Sequence, residues 1–174
     1  LEYFLKNLDE NKSVTVLVAT SGDTGGAVAS GFYKVKGINV VILYPKGKVS
    51  SVQEKQLTTF GENITALEVD GTFDDCQSMV KNAFLDKDLS NKIKLTSANS
   101  INIGRWLPQM FYFFFSYRDL KLSNEDKVAY SVPSGNFGNI CAGMLAKEMG
   151  LPIDKFIASN NINDVVNRYL NTKI

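Results

Sequence analysis

Two loops rich in glycine and small polar residues carry the groups that could hold an anion. Residues 19–27 read ATSGDTGGA and residues 133–139 read PSGNFGN. Each loop follows an apolar run and leads into a segment with helical periodicity. Glycine lets backbone N–H groups approach a ligand closely, and the N-terminus of a helix favours negative charge. Both loops are therefore candidates for binding a carboxylate or a phosphate.

The polar groups of the two loops differ. Thr20, Ser21 and Thr24 give the first loop hydroxyl groups, whereas the second offers mainly backbone and amide donors. That set of donors suits a phosphate that is held rather than transferred. No Lys follows within the second loop, so it is not a nucleotide-triphosphate loop of the Lys-Ser/Thr type. Taken alone, the first loop could equally be an ordinary strand-to-helix turn, and a simple glycine turn is slightly favoured for the second.

The elements that must position these loops alternate between strand and helix. Apolar runs predict buried strands at 14–19, 38–44, 64–69, 92–97, 127–133 and 155–159. Helical spacing predicts helices at 25–36, 50–60, 72–86, 102–120, 137–150 and 161–170, the fourth of them broken or restarted near Pro108. This pattern is typical of an α/β fold, in which helices cover both faces of a mainly parallel sheet and so form three layers.

In parallel sheets covered on both faces, ligands bind beyond the carboxyl ends of the strands. Four loops lie at such ends, with the sequences ATSGDTGG, YPKGKVSS, SANSIN and PSGNFGN. We expect the first and the last of them to lie at the end of one sheet and to face one cleft.

The composition argues against several classes of function. The 174 residues carry a net charge of +1, so we expect no nucleic-acid partner. The chain has no His, which excludes His-based triads, general bases and metal ligands, and no metal site is expected. Cys76 and Cys141 lie far apart, which favours a reducing, cytoplasmic setting. The apolar run at 110–115 is too short to cross a membrane.

Four segments together resemble threonine synthase, an enzyme dependent on pyridoxal 5'-phosphate (PLP). They read TSGDTGGAVA, YPKGKVSSVQEKQ, SANSINIGR and VPSGNFGN, in this order and at these spacings. The combination is specific, whereas any one segment alone is a weak signal. The resemblance runs from about Val14 to the last residues and implies the fold of the fold-type II, or tryptophan synthase β-like, PLP enzymes. Asp23 points away from cysteine synthase relatives, which usually carry Asn there.

The resemblance assigns a ligand to each loop. The phosphate of PLP would be held by Gly135, Asn136, Phe137, Gly138 and Asn139. Asp23 would lie near the 3'-oxygen of the PLP ring. The α-carboxylate of the substrate would be bound by Thr20, Ser21 and Thr24. The phosphate of the substrate, O-phosphohomoserine, would be bound by Asn99, Ser100 and Arg105. A planar guanidinium suits phosphate oxygens, although a surface ion pair is the alternative role for Arg105.

The resemblance also implies a reaction and a division into domains. A threonine synthase converts O-phosphohomoserine and water to L-threonine and phosphate, as a monomer or a homodimer. Residues 1–103 would belong to the smaller α/β domain, and residues 104–174 would begin the larger, PLP-binding domain. The Lys that binds PLP covalently is expected upstream of Leu1, because Lys6 and Lys12 do not lie in the family's motif. We therefore expect a fragment that has no catalytic residue of its own and is inactive alone.

Three alternatives remain open on the sequence. One is another fold-type II PLP enzyme, such as a threonine or serine dehydratase. The second is a non-catalytic binding or regulatory protein that kept the fold. The third, a general nucleotide-binding domain, is disfavoured because no G-x-G-x-x-G follows the first strand.

Overall fold

The computed structural model describes residues 13–100, 102–123, 126–134, 136–162 and 164–173. The elements, in chain order, are β1 (Val14–Ala19), α1 (Asp23–Phe32), β2 (Ile38–Pro45), α2 (Ser51–Thr58), β3 (Ile64–Val69), α3 (Phe73–Leu85), α4 (Lys87–Lys92), β4 (Leu95–Ser97), a short 3-10 helix (Ile103–Arg105), α5 (Trp106–Leu120), β5 (Val128–Pro133), α6 (Gly138–Glu148), β6 (Ile153–Ser159) and α7 (Val165–Thr172). They form two compact units, one up to Asn99 and one from Ser100.

A parallel sheet of four strands forms the centre of the first unit, in the order β3-β2-β1-β4. Its strands are rich in β-branched residues, which suit a buried, pleated surface. Side chains of β1 alternate between two apolar clusters. Val16 and Val18 face the cluster that includes Ala29 of α1 and Leu57 of α2. Leu17 and Ala19 face the cluster built on α3. Helices therefore cover both faces, and the unit has three layers.

The order of the strands places a switch point beside β1. The chain leaves β1 through α1, on one face of the sheet, to reach β2. It returns to β4, on the other side of β1, after α3 on the opposite face. Such a reversal opens a crevice at the carboxyl ends of the two strands. The residues that follow these ends are Thr20 and Ala98.

Polar side chains cap α2, α3 and α4 of the first unit, whereas α1 has no side-chain cap. The Ser50 hydroxyl accepts a hydrogen bond from Gln53 N at the start of α2, and Thr72 does the same with Asp75 N at the start of α3. Both are capping boxes, in which the third helical residue bonds back to the cap. The Asp86 carboxylate accepts from the backbone N–H groups of Asp88 and Leu89 and so starts α4.

The second unit is built on a pair of parallel strands, β5 and β6, with a bulge after Val128. Helices α5 and α6 pack on this pair, and Met110, Phe113, Ile140 and Ala146 are among the buried residues of their shared core. A separate pair was not expected. The prediction that one sheet carries both glycine-rich loops is wrong for the described residues, because β5 and β6 do not pair with the four-stranded sheet.

Other differences from the predicted elements are local. Strand β4 has only three residues, because α4 includes Lys92 and has Ile93 as its C-cap. Helix α5 begins at Trp106 and continues through Pro108, which lies in the first turn, where an N–H group has no partner in the helix. Among the described residues, no helix is both long enough and apolar enough to cross a membrane. The assignment of residues 1–103 and 104–174 to two domains of threonine synthase stays a prediction.

Candidate functional site

The Thr20 side chain organises the first glycine-rich loop from within. Thr20 is buried, at 2% exposure. Its hydroxyl oxygen accepts hydrogen bonds from Gly22 N at 3.0 Å and Gly25 N at 2.9 Å, and it donates to Gly22 O at 3.0 Å. These bonds fold residues 20–25 into a closed turn at the N-terminus of α1. The donor and both accepting positions of this hydroxyl are thus used inside the loop.

Gly25 is required by the packing of the same turn. A Cβ atom on Gly25 would lie 2.5 Å from Thr20 Cγ2 and 2.6 Å from Leu57 Cδ2. Such distances are shorter than real carbon contacts, so only glycine lets α1 begin this close to α2. On the other side of the turn, Ser21 is exposed and Thr24 is half-buried. Ser21, Thr24 and the exposed Asp23 therefore lie on the side of this loop that faces away from the core.

Asp23 is the first residue of α1, where a carboxylate is favoured by the helix dipole. Its Oδ1 atom accepts a hydrogen bond of 2.7 Å from Nε2 of Gln53, which lies in α2. The sequence prediction for Asp23 did not include Gln53. The signal for it is present, because Ser50 and Gln53 have the Ser-x-x-Gln spacing of a capping box. The partner of the amide, 30 positions away, is a tertiary contact that this spacing does not reveal.

Asn99 connects the end of β4 to the end of β1. Its Oδ1 atom accepts from Ala19 N at 3.0 Å, and its Nδ2 group donates to Ala19 O at 2.7 Å. The amide thus continues the ladder between the two strands as a backbone group would. The Ser97 hydroxyl accepts from Asn99 N at 3.1 Å and so supports the turn. Asn99 lies at the predicted crevice, but these bonds direct its amide toward Ala19.

Ser100 and Gly138 lie against each other in the second unit. A Cβ atom on Gly138 would lie 3.1 Å from Ser100 Cβ and 3.5 Å from Trp106 Nε1. The Trp106 indole donates to Ser100 O at 2.8 Å and holds the residue in place. The structure therefore brings together one residue predicted for the substrate phosphate and one predicted for the cofactor phosphate. Trp106 was not predicted as part of the site.

The second glycine-rich loop is closed by side chains at its two ends. Asn139 Nδ2 donates to Pro133 O at 2.9 Å, and Asn139 Oδ1 accepts from Ser134 Oγ at 3.1 Å and from Ile140 N at 2.9 Å. Phe137 adopts the left-handed conformation, with φ of 58°, as the residue before α6. Asn136 is exposed, and Gly135 lies outside the described residues. These bonds hold the two described ends of the loop together beside the N-terminus of α6.

A cleft lies beside this loop, beyond the carboxyl ends of β5 and β6. Its volume is about 390 Å³, and it is lined by Pro133, Ser134, Ser159, Asn160 and Asn161. In the first turn of α6, Ile140 N already donates to the Asn139 side chain, whereas Gly138 brings no side chain over the N–H groups of residues 138 and 139. The N-terminus of α6 therefore favours an anion.

Arg105 ends the short 3-10 helix and is half-buried. The Asn102 side chain caps this helix by accepting from Gly104 N at 2.9 Å, and Arg105 N donates to Asn102 O at 3.0 Å. The backbone of Arg105 is thus fixed shortly after Ser100. Among the described residues, no group of three or more Cys, Asp or Glu side chains could hold a metal ion.

The chain is similar to known threonine synthases in sequence and in structure. The chain is 54% identical over 166 residues to threonine synthase of Buchnera aphidicola subsp. Baizongia pistaciae, which covers 95% of this chain and 39% of that protein. The structure of Escherichia coli threonine synthase superposes with a TM-score of 0.86 at 48% identity, over 99% of this chain and 40% of the other. A PLP-bound threonine synthase from Brucella melitensis gives 0.80 at 40% identity, over 98% and 36%. No model of a protein family matches the chain.

More distant structures share the fold alone. A PLP-dependent aspartate racemase superposes with a TM-score of 0.65 at 13% identity, over 98% of this chain and 48% of the other. The chain spans about two fifths of the length of the threonine synthases named above. In sequence and in its fold-type II α/β architecture, the chain is thus similar to part of threonine synthase, which confirms the resemblance predicted from its loops.

Proposed function

We propose that this chain provides the phosphate-holding and substrate-binding loops of a PLP-dependent threonine synthase. The reaction converts O-phosphohomoserine and water to L-threonine and phosphate. The observation that carries the proposal is the 54% identity to a threonine synthase over 95% of the chain. The dehydratase alternative has less support, because a threonine deaminase from Solanum lycopersicum superposes at only 18% identity.

The loop before α6 fits the phosphate of the cofactor. Asn136, Phe137, Gly138 and Asn139 lead into a helix N-terminus that has no side chain over its first turn at Gly138, and Gly135 completes the motif. A dianion there gains from the helix dipole and from the N–H groups of residues 138 and 139. When bound, PLP supplies an electron sink that stabilises negative charge on the carbon atoms of an attached amino acid. Asp23 is assigned to the cofactor ring by the resemblance.

Two groups of residues bind the substrate in this proposal. Ser21 and Thr24 offer accessible hydroxyls at the N-terminus of α1 and receive the α-carboxylate. Ser100 and Arg105 receive the phosphate, where a guanidinium stabilises the charge that grows as the phosphate leaves. Thr20 and Asn99 serve to position these loops, because the bonds of their polar atoms are made within the loops.

We also propose that this enzyme works in a reducing compartment. Cys76 and Cys141 are both free, in keeping with a reducing compartment such as the cytoplasm. The active form is a monomer or a homodimer, which light scattering coupled to size-exclusion chromatography would distinguish.

The test uses the enzyme at the full length of its relatives, loaded with PLP. We expect phosphate release from O-phosphohomoserine and no comparable deamination of threonine or serine. Preferred deamination would instead favour the dehydratase alternative. If PLP is retained and neither reaction occurs, the non-catalytic alternative is favoured.

Arg105→Ala tests the phosphate site within the same enzyme. We expect a higher KM or a lower kcat for O-phosphohomoserine, with kcat/KM reduced about tenfold to a hundredfold, because a charged hydrogen bond is lost. The PLP content should stay the same. Arg118→Ala is the matched control, since Arg118 is exposed and pairs with Asp119 at 2.8 Å. Equal kinetics for the two variants would remove Arg105 from the site.

A further inference from the structure

We propose that Gln53 is a positioning residue for Asp23, so that the N-terminus of α2 supports the turn at residues 21–24. The effect of this contact on catalysis rests on the function proposed above. Gln53 lies in α2 and does not belong to either glycine-rich loop.

The orientation of the Gln53 amide is fixed at both ends. Nε2 donates to Asp23 Oδ1 at 2.7 Å, while Oε1 accepts from Ser50 Oγ at 2.9 Å and from Ser50 N at 3.4 Å. Rotating the amide by half a turn would place its oxygen against the Asp23 carboxylate. The same rotation would place its N–H groups against the Ser50 N–H donor. One orientation is therefore strongly preferred.

The turn is shaped to receive this amide. Gly22 precedes α1 with φ of 152°, a backbone conformation that favours glycine. A Cβ atom on Gly22 would overlap the Gln53 amide, with Cδ at 2.6 Å. The Gln53 amide thus packs directly against Gly22 while it donates to Asp23. The turn is held by Thr20 from the buried side and by Gln53 from the other side.

Two substitutions separate the two contacts of Gln53. Gln53→Glu keeps an oxygen for Ser50, because Ser-x-x-Glu is itself a capping box, but it replaces the donor to Asp23 with a second carboxylate. Ser50→Ala does the reverse. It removes the hydroxyl that caps α2, while the Ser50 N–H group still donates to Oε1 of Gln53 and keeps Nε2 beside Asp23. Gln56→Glu adds the same charge one turn further along α2, where the structure shows no hydrogen bond from Gln56 to Asp23.

The first measurement is amide hydrogen exchange on this chain, without cofactor. In Gln53→Glu, we expect exchange at residues 22–25 to be about tenfold faster or more, because like charges push the turn away. The first turn of α2 should exchange as in the unchanged protein. Ser50→Ala should show the opposite pattern. If residues 22–25 exchange equally in Gln53→Glu and Gln56→Glu, the inference is wrong.

The second measurement is made on the full-length enzyme with PLP and O-phosphohomoserine. We expect kcat/KM to fall about tenfold to a hundredfold in Gln53→Glu, with a higher KM for the substrate, whereas Ser50→Ala and Gln56→Glu stay within about twofold. Equal losses in Gln53→Glu and Ser50→Ala would show that only the stability of α2 matters, and would overturn the inference. If the unchanged enzyme does not turn over this substrate, the proposed function fails, and hydrogen exchange still decides the role of Gln53.

Discussion

At the scale of single residues, the polar groups nearest the strand ends hold the loops in shape. The Thr20 hydroxyl is bonded to Gly22 and Gly25, and the Asn99 amide is bonded to both backbone groups of Ala19. A sequence shows which residues have hydroxyls and amides, but not where their bonds go. The residue types of the site could therefore be predicted from the sequence. Which side chains face a ligand and which hold the loops in shape could not.

Asn99→Ala tests this division. Ala19 is buried, at 1% exposure, so the substitution leaves a buried N–H group and a buried carbonyl without their partner. We expect the free energy of unfolding to fall by about 1–3 kcal/mol, measured by urea denaturation without any ligand. Asn102→Ala, which removes a cap in an exposed turn, is the comparison and should cost less. A variant of Asn99 with unchanged stability would return this residue to the role of a phosphate ligand alone.

At the scale of elements, glycines decide how closely helices pack. Gly143 of α6 faces two aromatic rings, and a Cβ atom there would lie 2.6 Å from Phe113 Cζ and 2.7 Å from Phe156 Cε1. Gly31 of α1 has no atom within 4 Å of the same position. Both glycines lie in helices, so they allow a crowded position to be compared with an open one.

Opposite effects are expected when each of these glycines is replaced by alanine. Gly143→Ala should destabilise the protein by about 1–3 kcal/mol, because the rings must move in a filled core. Gly31→Ala should stabilise it by up to about 1 kcal/mol, through the higher helix propensity of alanine. Thermal unfolding of both variants measures the difference. Two shifts of the same sign would contradict the packing described for α6.

The capping box of α3 predicts a dependence of stability on acid. The Thr72 hydroxyl and backbone N–H both donate to Asp75 at 2.7 Å, and they lower the pKa of this carboxyl below its ordinary value of 3.8. A lowered pKa means that the folded state holds the proton less tightly than the unfolded chain does. The stabilisation is therefore complete above pH 3.8 and is lost as the pH falls through the lower, folded-state pKa.

Asp75→Asn should be less stable than the unchanged protein at neutral pH, and the difference should shrink on acidification below about pH 4. Denaturation by urea at several pH values measures it. Asp74→Asn is the control, because Asp74 lies in the same turn but the Thr72 hydroxyl donates to Asp75. A difference between Asp75→Asn and the unchanged protein that stays constant down to pH 2 would contradict this account.

Helices and strands were predicted well where the local sequence pattern determines them. The β-branched run at 14–19 matches β1 because the strand is buried on both faces. Helix α4 was not predicted, because it depends on Asp86, which ends α3 and starts α4 within one residue. The separation of β5 and β6 from the first sheet was missed because apolar periodicity shows that a strand is buried, but not which strand it pairs with.

At the scale of the whole molecule, each compact unit contains one thiol. Cys76 in the first unit is buried, and burial together with Asp75 raises the pKa of its thiol. Cys141 in the second unit is half-buried. The thiolate is the reactive form, and a raised pKa leaves less of it at any given pH.

Labelling with Ellman's reagent at pH 8 should modify Cys141 before Cys76, and peptide mass mapping identifies the modified thiol. In denaturant, both should react at similar rates. Cys76→Ser should abolish the slow phase, and Cys141→Ser the fast one. If Cys76 reacts first in native protein, the first unit is more open than the structure indicates.

The contact between Gly138 and Ser100 limits how this region can be redesigned. Only the hydrogen atoms of a glycine separate the start of α6 from Ser100, since a Cβ atom at position 138 would come within 3.1 Å of Ser100 Cβ. In the proposed function, one residue serves the cofactor phosphate and the other the substrate phosphate. The two proposed anion sites are then separated only by the contact between these two residues. Volume added on one side must be removed from the other, so cofactor retention and substrate choice cannot be tuned separately at this point, and the two positions have to change as a pair.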